Sequence, residues 1–255
     1  MKLFEIIDTK RVASEAPDYS SMSPEQRREI GIINPDASDA GVFSYVRDMD
    51  DDPHLVHKTS KSSTAAISDG FWVWAEHLVD NELWHNPFFP RVYEITDFDE
   101  IMLSNKKTMF QAKIERLFHA NTMEFHEVVA LFKRFFNEVP YVVLNNYNKY
   151  LDSKSEFSDN KGRQYLEDAI FTLLAHVVKH IYNRIPNPKA YAHVIKQLPR
   201  NTVPIVDDTL REAIDEIVAF ANDNPHINVD MTIHNIMVRR NPRAGAQIVF
   251  TDPFV

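Results

Sequence analysis

Along the chain, hydrophobic and polar positions change period. From Asp39 to Lys58 the apolar residues fall in two short runs rich in aromatic and β-branched side chains, Val42-Phe43-Ser44-Tyr45-Val46 and Leu55-Val56-His57-Lys58. The acidic, proline-terminated stretch Asp48-Met49-Asp50-Asp51-Asp52-Pro53 separates them, which predicts a β-hairpin with a solvated turn. The next segment, Ser68 to Val79, reads as a helix capped by Ser68 or Asp69, with Phe71, Trp74 or Ala75, Leu78 and Val79 on one face. Asn86 to Ile95 reads as an extended turn feeding a strand, and Thr108 to Ile114 as a further strand. After Leu117 the period becomes helical: Glu124–Asn137 carries Phe125, Val128, Val129, Phe132, Phe135 and Phe136, and Gln164–Tyr182 carries Leu166, Ile170, Leu173, Leu174, Val177, Val178 and Ile181. Asp207 caps a third helix through Ala213, Ile214, Ile217, Val218 and Phe220, whereas Tyr147 to Gly162 is polar and reads as a loop. The last runs, Ile236-Met237-Val238 and Ile248-Val249-Phe250, are strands joined by the hairpin Asn241-Pro242-Arg243-Ala244-Gly245.

The chemistry concentrates at that closing hairpin. Asp230 is followed after four residues by Asn235, then by the two strands and by Asp252. Phosphoryl transfer asks a protein mainly to place a base and metal ligands around a nucleotide, and an Asp, an Asn five residues on, and a second Asp delivered by a hairpin form such a set. Hard oxygen donors on strand ends suit Mg²⁺, which takes one or two carboxylates and completes its shell with phosphates and water. Upstream, Lys58 closes an apolar strand in the manner of a phosphate-pairing lysine, with Lys61 as the alternative. On the helix that follows, Glu76 is the acid best placed to pair with it, and Glu82 competes. Glu115-Arg116-Leu117 crosses from a strand-rich front to a helical back. Neither His54 and His57 nor His226 and His234 fall at the i, i+4 spacing of a helical His-Glu-x-x-His zinc site, and the acidic run at 48–52 lacks the Gly and terminal Glu of an EF-hand.

Composition narrows the field without deciding it. The 255 residues are 44% hydrophobic and 25% charged, enough for one large domain or two lobes with a real core. A net charge of −9, from 37 acidic and 28 basic residues, argues against general nucleic-acid binding. The absence of cysteine excludes disulfides and thiolate chemistry. Met1-Lys2-Leu3-Phe4-Glu5 has no apolar signal core and no run is long enough to span a bilayer, so the expectation is a soluble, cytoplasmic protein without membrane partners.

These residues resemble a known family, the early protein kinases of T7-like bacteriophages, distant relatives of eukaryotic-type Ser/Thr kinases. Gly41-Val42-Phe43-Ser44, Leu55-Val56-His57-Lys58, Pro90-Arg91-Val92-Tyr93, Asp230-Met231, Asn235-Ile236-Met237 and Thr251-Asp252-Pro253 carry the resemblance in colinear order. It implies an α+β, bilobal protein-kinase-like fold: an extension over 1–35, a strand-rich N-lobe over 36–116, and a truncated, mainly helical C-lobe over 117–255. It further implies ATP and Mg²⁺ as cofactors, Asp230 as catalytic base, Asn235 and Asp252 as metal ligands, and Lys58 at the phosphates. Gly41, Phe43 and Ser44 would cover the phosphates, Glu76 would hold the lysine, and the backbone of Glu115 and Leu117 would meet adenine. The implied activity is phosphorylation of Ser or Thr in host proteins, in the host cytoplasm for a phage-encoded chain.

The pattern departs from that family in several places. Gly41 stands alone in its loop, between Ser38-Asp39-Ala40 and Val42. Asn228-Val229 replaces the usual His-Arg, and Thr232 stands where many protein kinases have a lysine; His234 or Arg239 is the candidate for the missing charge. Pro253-Phe254 follows the metal-loop Asp in place of Phe-Gly, and the sequence ends three residues after Asp252, so no activation segment, Ala-Pro-Glu element or lower helical subdomain is expected. Two further readings therefore stand beside the kinase: a kinase-like protein that acts by binding a host partner, and a small-molecule phosphotransferase.

Overall fold

The computed structural model describes residues 44–49, 52–60, 69–95, 110–155, 159–185, 198–199, 201, 203–241 and 245–254. The extension over 1–35, Gly41, Phe43, Lys61 and the turn residues 242–244 lie outside them. The chain is mixed α+β, with two antiparallel sheets and, among the described residues, five α-helices. It divides into two compact units, Met1–Trp84 with Pro90–Arg116, and His85–Phe89 with Leu117–Val255.

The first unit is built on a four-stranded sheet in the order β1-β2-β4-β3, from β1 (Ser44–Asp48), β2 (Leu55–Ser60), β3 (Val92–Ile95) and β4 (Gln111–Glu115). β1 and β2 form the hairpin the alternation predicts, with Ser44 opposite Ser60 and Val46 opposite Lys58. Its turn includes Asp52, whose carboxylate accepts the His54 N–H. Residues two apart on a strand share a face, and Val56, Lys58 and Ser60 are all buried. Helix α1 (Gly70–Asp80) contributes Phe71, Trp72 and Ala75 to one core with Val56, Ile95, Phe110, Ala112 and Ile114. Phe71 and Trp72 meet edge to face with centroids 5.0 Å apart, and Trp72 lies 5.7 Å from Phe110. Asp69, the second of the two candidates, caps α1: its Oδ1 accepts the Phe71 N–H at 3.1 Å. At the far end Asn81 closes the helix on the His77 carbonyl, and Glu82 takes the left-handed turn at φ 53°.

The second unit has a three-stranded sheet, β5 (Phe118–His119), β6 (Ile236–Asn241) and β7 (Gly245–Phe250), and four helices, α2 (Phe125–Phe136), α3 (Tyr141–Ser155), α4 (Asp159–Tyr182) and α5 (Asp208–Asp223). The aromatic stripe of α2 is core: Phe125, Val128, Leu131, Phe132, Phe135 and Phe136 are all buried, while Val129 is only half-buried. Glu127 folds back to the Glu124 N–H at 2.8 Å, the reciprocal half of a capping box. The same carboxylate holds Arg240 of β6 at 2.5 and 2.7 Å, which ties the closing hairpin to the first turn of α2. Arg134 of α2 meets Asp207, the N-cap of α5, at 2.7 Å.

One expectation needs correction here. Residues 147 to 155 and 159 to 162 are helical, belonging to α3 and α4. α3 shows little hydrophobic periodicity because it buries few side chains, Val143 and Asn146 among them; it is held by packing along α4 and by Tyr147 and Tyr150, 5.1 and 5.2 Å from the Phe125 ring. The Asn86–Ile95 stretch is the expected turn feeding β3, closed by the Phe88 N–H on Asn86 Oδ1 at 3.0 Å and the Phe89 N–H on the Asn86 carbonyl at 3.1 Å. Phe88 and Phe89 are fully buried in the second unit, where Phe88 packs 5.5 Å from Phe135 and its carbonyl accepts the Phe250 N–H at 2.8 Å.

α4 carries a histidine pair one turn apart. His176 is buried, its ring near Phe132 and Phe136, and His180 stacks on Phe136 while its Nε2 lies 2.7 Å from the Val203 carbonyl. Both are held below the ordinary histidine range, His176 by burial and then by His180, His180 by burial with Arg184 adding to it against the raising effect of the Val203 bond.

Candidate functional site

The loop from Val229 to Asn235 is fastened at both ends. Val229 bridges to Phe254, and the Asp230 N–H donates to the Pro253 carbonyl at 2.9 Å. Phe254 itself is buried against Phe220 of α5, 4.7 Å between centroids, so the segment after Asp252 is anchored in the helical core. Inside the loop the Thr232 N–H donates to the Asp230 carbonyl at 2.9 Å, and residues 233–235 form a single 3-10 turn that runs into β6. Met231 is buried and pins the middle.

This geometry brings Asp230, Asn235 and Asp252 into one construction within the second unit. The Asn235 amide donates to the Asp230 backbone carbonyl at 2.5 Å and lies 3.3 Å from its Oδ2. With Nδ2 engaged there, Asn235 Oδ1 is the atom left with the character of a metal ligand. Across the hairpin, the Thr251 N–H and hydroxyl both donate to the Asn235 carbonyl at 3.0 Å. Ile236 pairs with Phe250 in the sheet register, so Asp252 follows directly on the residue bound to Asn235. All three side chains are half-buried. An amide oxygen and a carboxylate are hard donors and fit a Mg²⁺ ion whose remaining ligands come from phosphates and water. Among the described residues no group of three or more His, Cys, Asp or Glu is placed to hold a metal ion.

Lys58 lies in the first unit and is buried, with its side chain 7% exposed. Its Nζ stands 3.5 Å from the centroid of the Phe71 ring and 3.9 Å from Asp69 Oδ2. Asp69 is legible in the sequence only as a cap, because nothing in the spacing links a cap to a strand lysine; the structure adds its ion pair with Lys58. Glu76, the expected partner, is half-buried further along α1, and Glu82 is exposed in the turn after it. Ser44 is buried on β1, and its hydroxyl lies 3.4 Å from Asp69 Oδ2.

Two candidate roles are altered. The Glu115 N–H is spent on the Arg91 carbonyl at 3.0 Å and its carboxylate accepts the Arg91 N–H at 2.9 Å, so this N–H is closed to an adenine ring. Leu117 follows the end of β4 and lies outside the strands. Arg239 does not serve as a substitute for the missing lysine, because its guanidinium donates to the carbonyls of Pro87 and Phe89 at 2.7 and 3.0 Å, a structural clamp on the Phe88 segment. The His234 side chain lies outside the described residues.

No protein-family model, curated protein or solved structure matches the chain. Among the described residues no helix is long and apolar enough to cross a membrane.

Proposed function

We propose that the protein is a Mg·ATP-dependent phosphotransferase built from a strand-rich and a mainly helical unit, acting on Ser or Thr hydroxyls of host proteins in the manner of a phage-type kinase. The observation that carries the reading is the fastening of Asn235 to Asp230 on one side and to Thr251 on the other, which delivers Asp252 to the same end of the hairpin. In this reading the Asp230 carboxylate accepts the hydroxyl proton as the new O–P bond forms and the bond to the ADP oxygen breaks. Asn235 Oδ1 and Asp252 would hold the Mg²⁺, which supplies charge neutralisation at the phosphates. Lys58 pairs with phosphate oxygens, and Ser44 opens the strand that follows Gly41 and Phe43, the residues that would cover them.

The test is nucleotide binding by calorimetry, with and without Mg²⁺, on wild type, Lys58→Ala and Asp252→Asn, followed by phosphate incorporation into a host lysate. Mg²⁺-dependent binding lost in both variants, and incorporation lost in Asp230→Asn while its fold persists, is the expected result. Incorporation by Asp230→Asn at the wild-type rate would end the assignment.

A second reading, a kinase-like protein that works by binding a host partner, is favoured by Asn228-Val229 and Thr232 at positions where kinases usually carry His-Arg and Lys. It predicts a wild type that binds no nucleotide, and biological activity indifferent to Asp230→Asn and Asp252→Asn.

A further inference from the structure

We propose that Asp69 is a positioning residue for Lys58, one that makes the placing of the phosphate lysine and the capping of α1 a single event. The inference rests on the nucleotide role given to Lys58 above. It starts from burial: the ammonium of a lysine whose side chain is 7% exposed must be compensated by charge or by a π face to remain there. Lys58 has both, Asp69 Oδ2 at 3.9 Å and the Phe71 ring at 3.5 Å. Both belong to the first residues of the helix unit, so the lysine is aimed at the start of α1.

Asp69 in turn has little freedom to move. Its Oδ1 is committed to the Phe71 N–H at 3.1 Å, and the Ser44 hydroxyl lies 3.4 Å from Oδ2. The side chain is 5% exposed and has only two torsions, both restrained by these contacts. A carboxylate that caps with one oxygen and holds a cation with the other recurs in the second unit, where Asp207 caps α5 through Oδ1 and holds Arg134 through Oδ2. The consequence in the first unit is specific. Losing the Asp69 charge weakens the hold on Lys58 even where the cap survives.

Asp69→Asn separates the two jobs, because asparagine is as good an N-cap as aspartate but carries no charge. The first measurement is independent of nucleotide: urea unfolding of Asp69→Asn, Lys58→Met and the double variant. The expected result is coupling, with the double variant no less stable than the weaker single; losses that simply add would overturn the pairing. If Asp69→Asn does not fold, recovery of folding in the double variant supports the pairing, and a double variant that is no better overturns it.

The second measurement is Mg·ATP affinity of folded Asp69→Asn beside Glu76→Gln and wild type. A loss of about tenfold or more in Asp69→Asn, the scale of one charge-assisted contact, is expected. Wild-type affinity in Asp69→Asn would overturn the positioning role while leaving the nucleotide reading intact. A wild type that binds no nucleotide would overturn the nucleotide reading and with it the role proposed for Asp69 in serving it, and the unfolding coupling would then report on the pair alone.

Discussion

Asn235 donates its side-chain amide to the Asp230 carbonyl at 2.5 Å while its own backbone carbonyl receives both the N–H and the hydroxyl of Thr251. One residue thereby joins the loop to the hairpin return. Removing it should cost stability as well as chemistry. Asn235→Ala loses a half-buried bond to the main chain, so a decrease of about 1 to 2 kcal/mol in unfolding free energy is expected from urea titration. Asn235→Asp is expected to be worse at neutral pH, because it sets a second carboxylate against Asp230 Oδ2. Unfolding curves for both variants that overlay wild type would mean the amide does not fasten the loop.

The hairpin itself depends on Gly245, the residue opposite Asn241, at φ +74°. A Cβ there would stand 3.9 Å from Glu127 Oε1, an ordinary contact, so the penalty for Gly245→Ala comes from the backbone and not from a clash. About 1 kcal/mol of destabilisation is expected. Since Glu127 also holds Arg240, Gly245→Ala and Arg240→Ala should be non-additive in a double-mutant cycle. Strict additivity would show that strand pairing and the Arg240 bond are independent.

Much of this was legible in the chain, and the reasons differ by segment. The hairpin strands at 236–241 and 245–250 alternate or run apolar between turn residues, and the stripe of α2 repeats at helical spacing, so local pattern and tertiary burial agree. Asp69 could be read as a cap because capping is a local event. Its second job could not, since Lys58 and Asp69 meet through a sheet face and a helix start eleven residues apart. α3 was misread as loop from Tyr147 because its sequence is polar; its helicity follows from lying along α4, which no window of sequence contains. Phe88 and Phe89 lie in the turn the sequence predicts, but their burial depends on Phe135 and Phe250, far along the chain. The Asp230, Asn235 and Asp252 spacing was readable, but the bonds that fasten it run through backbone groups of Thr251 and Pro253 that leave no residue signature.

The Phe88 segment makes the sharpest stability prediction. Phe88 is fully buried between Phe135 and Phe250, with the Arg134 guanidinium 5.6 Å from its ring, and Arg239 clamps the carbonyls on either side. Phe88→Ala should cost about 3 to 5 kcal/mol by chemical denaturation. Arg239→Ala should cost less but should expose the same segment, seen as faster amide exchange at residues 85–89. Protection there equal to wild type would remove Arg239 from the clamp.

Acid should weaken the second unit through His176 and His180. Both are held below the ordinary value of 6.5, chiefly by burial, so the unfolded chain binds protons at a pH where the folded one does not. Under that condition stability rises with pH, and it is therefore lost as pH falls from about 6.5 through the lowered folded values. The groups facing the pair act in opposite directions: Arg184 opposes protonation of His180, while its bond to the Val203 carbonyl favours it. His176 has no such bond, because its Nδ1 is buried without a hydrogen-bond partner, so His176 should carry more of the effect. Melting temperature measured between pH 7.5 and 5.5 should fall in wild type and fall less in His176→Phe, which keeps the ring contacts with Phe132 and Phe136. Parallel pH profiles for the two proteins would show that His176 is already charged or already accessible in the native state, and the burial argument for the pair would fail.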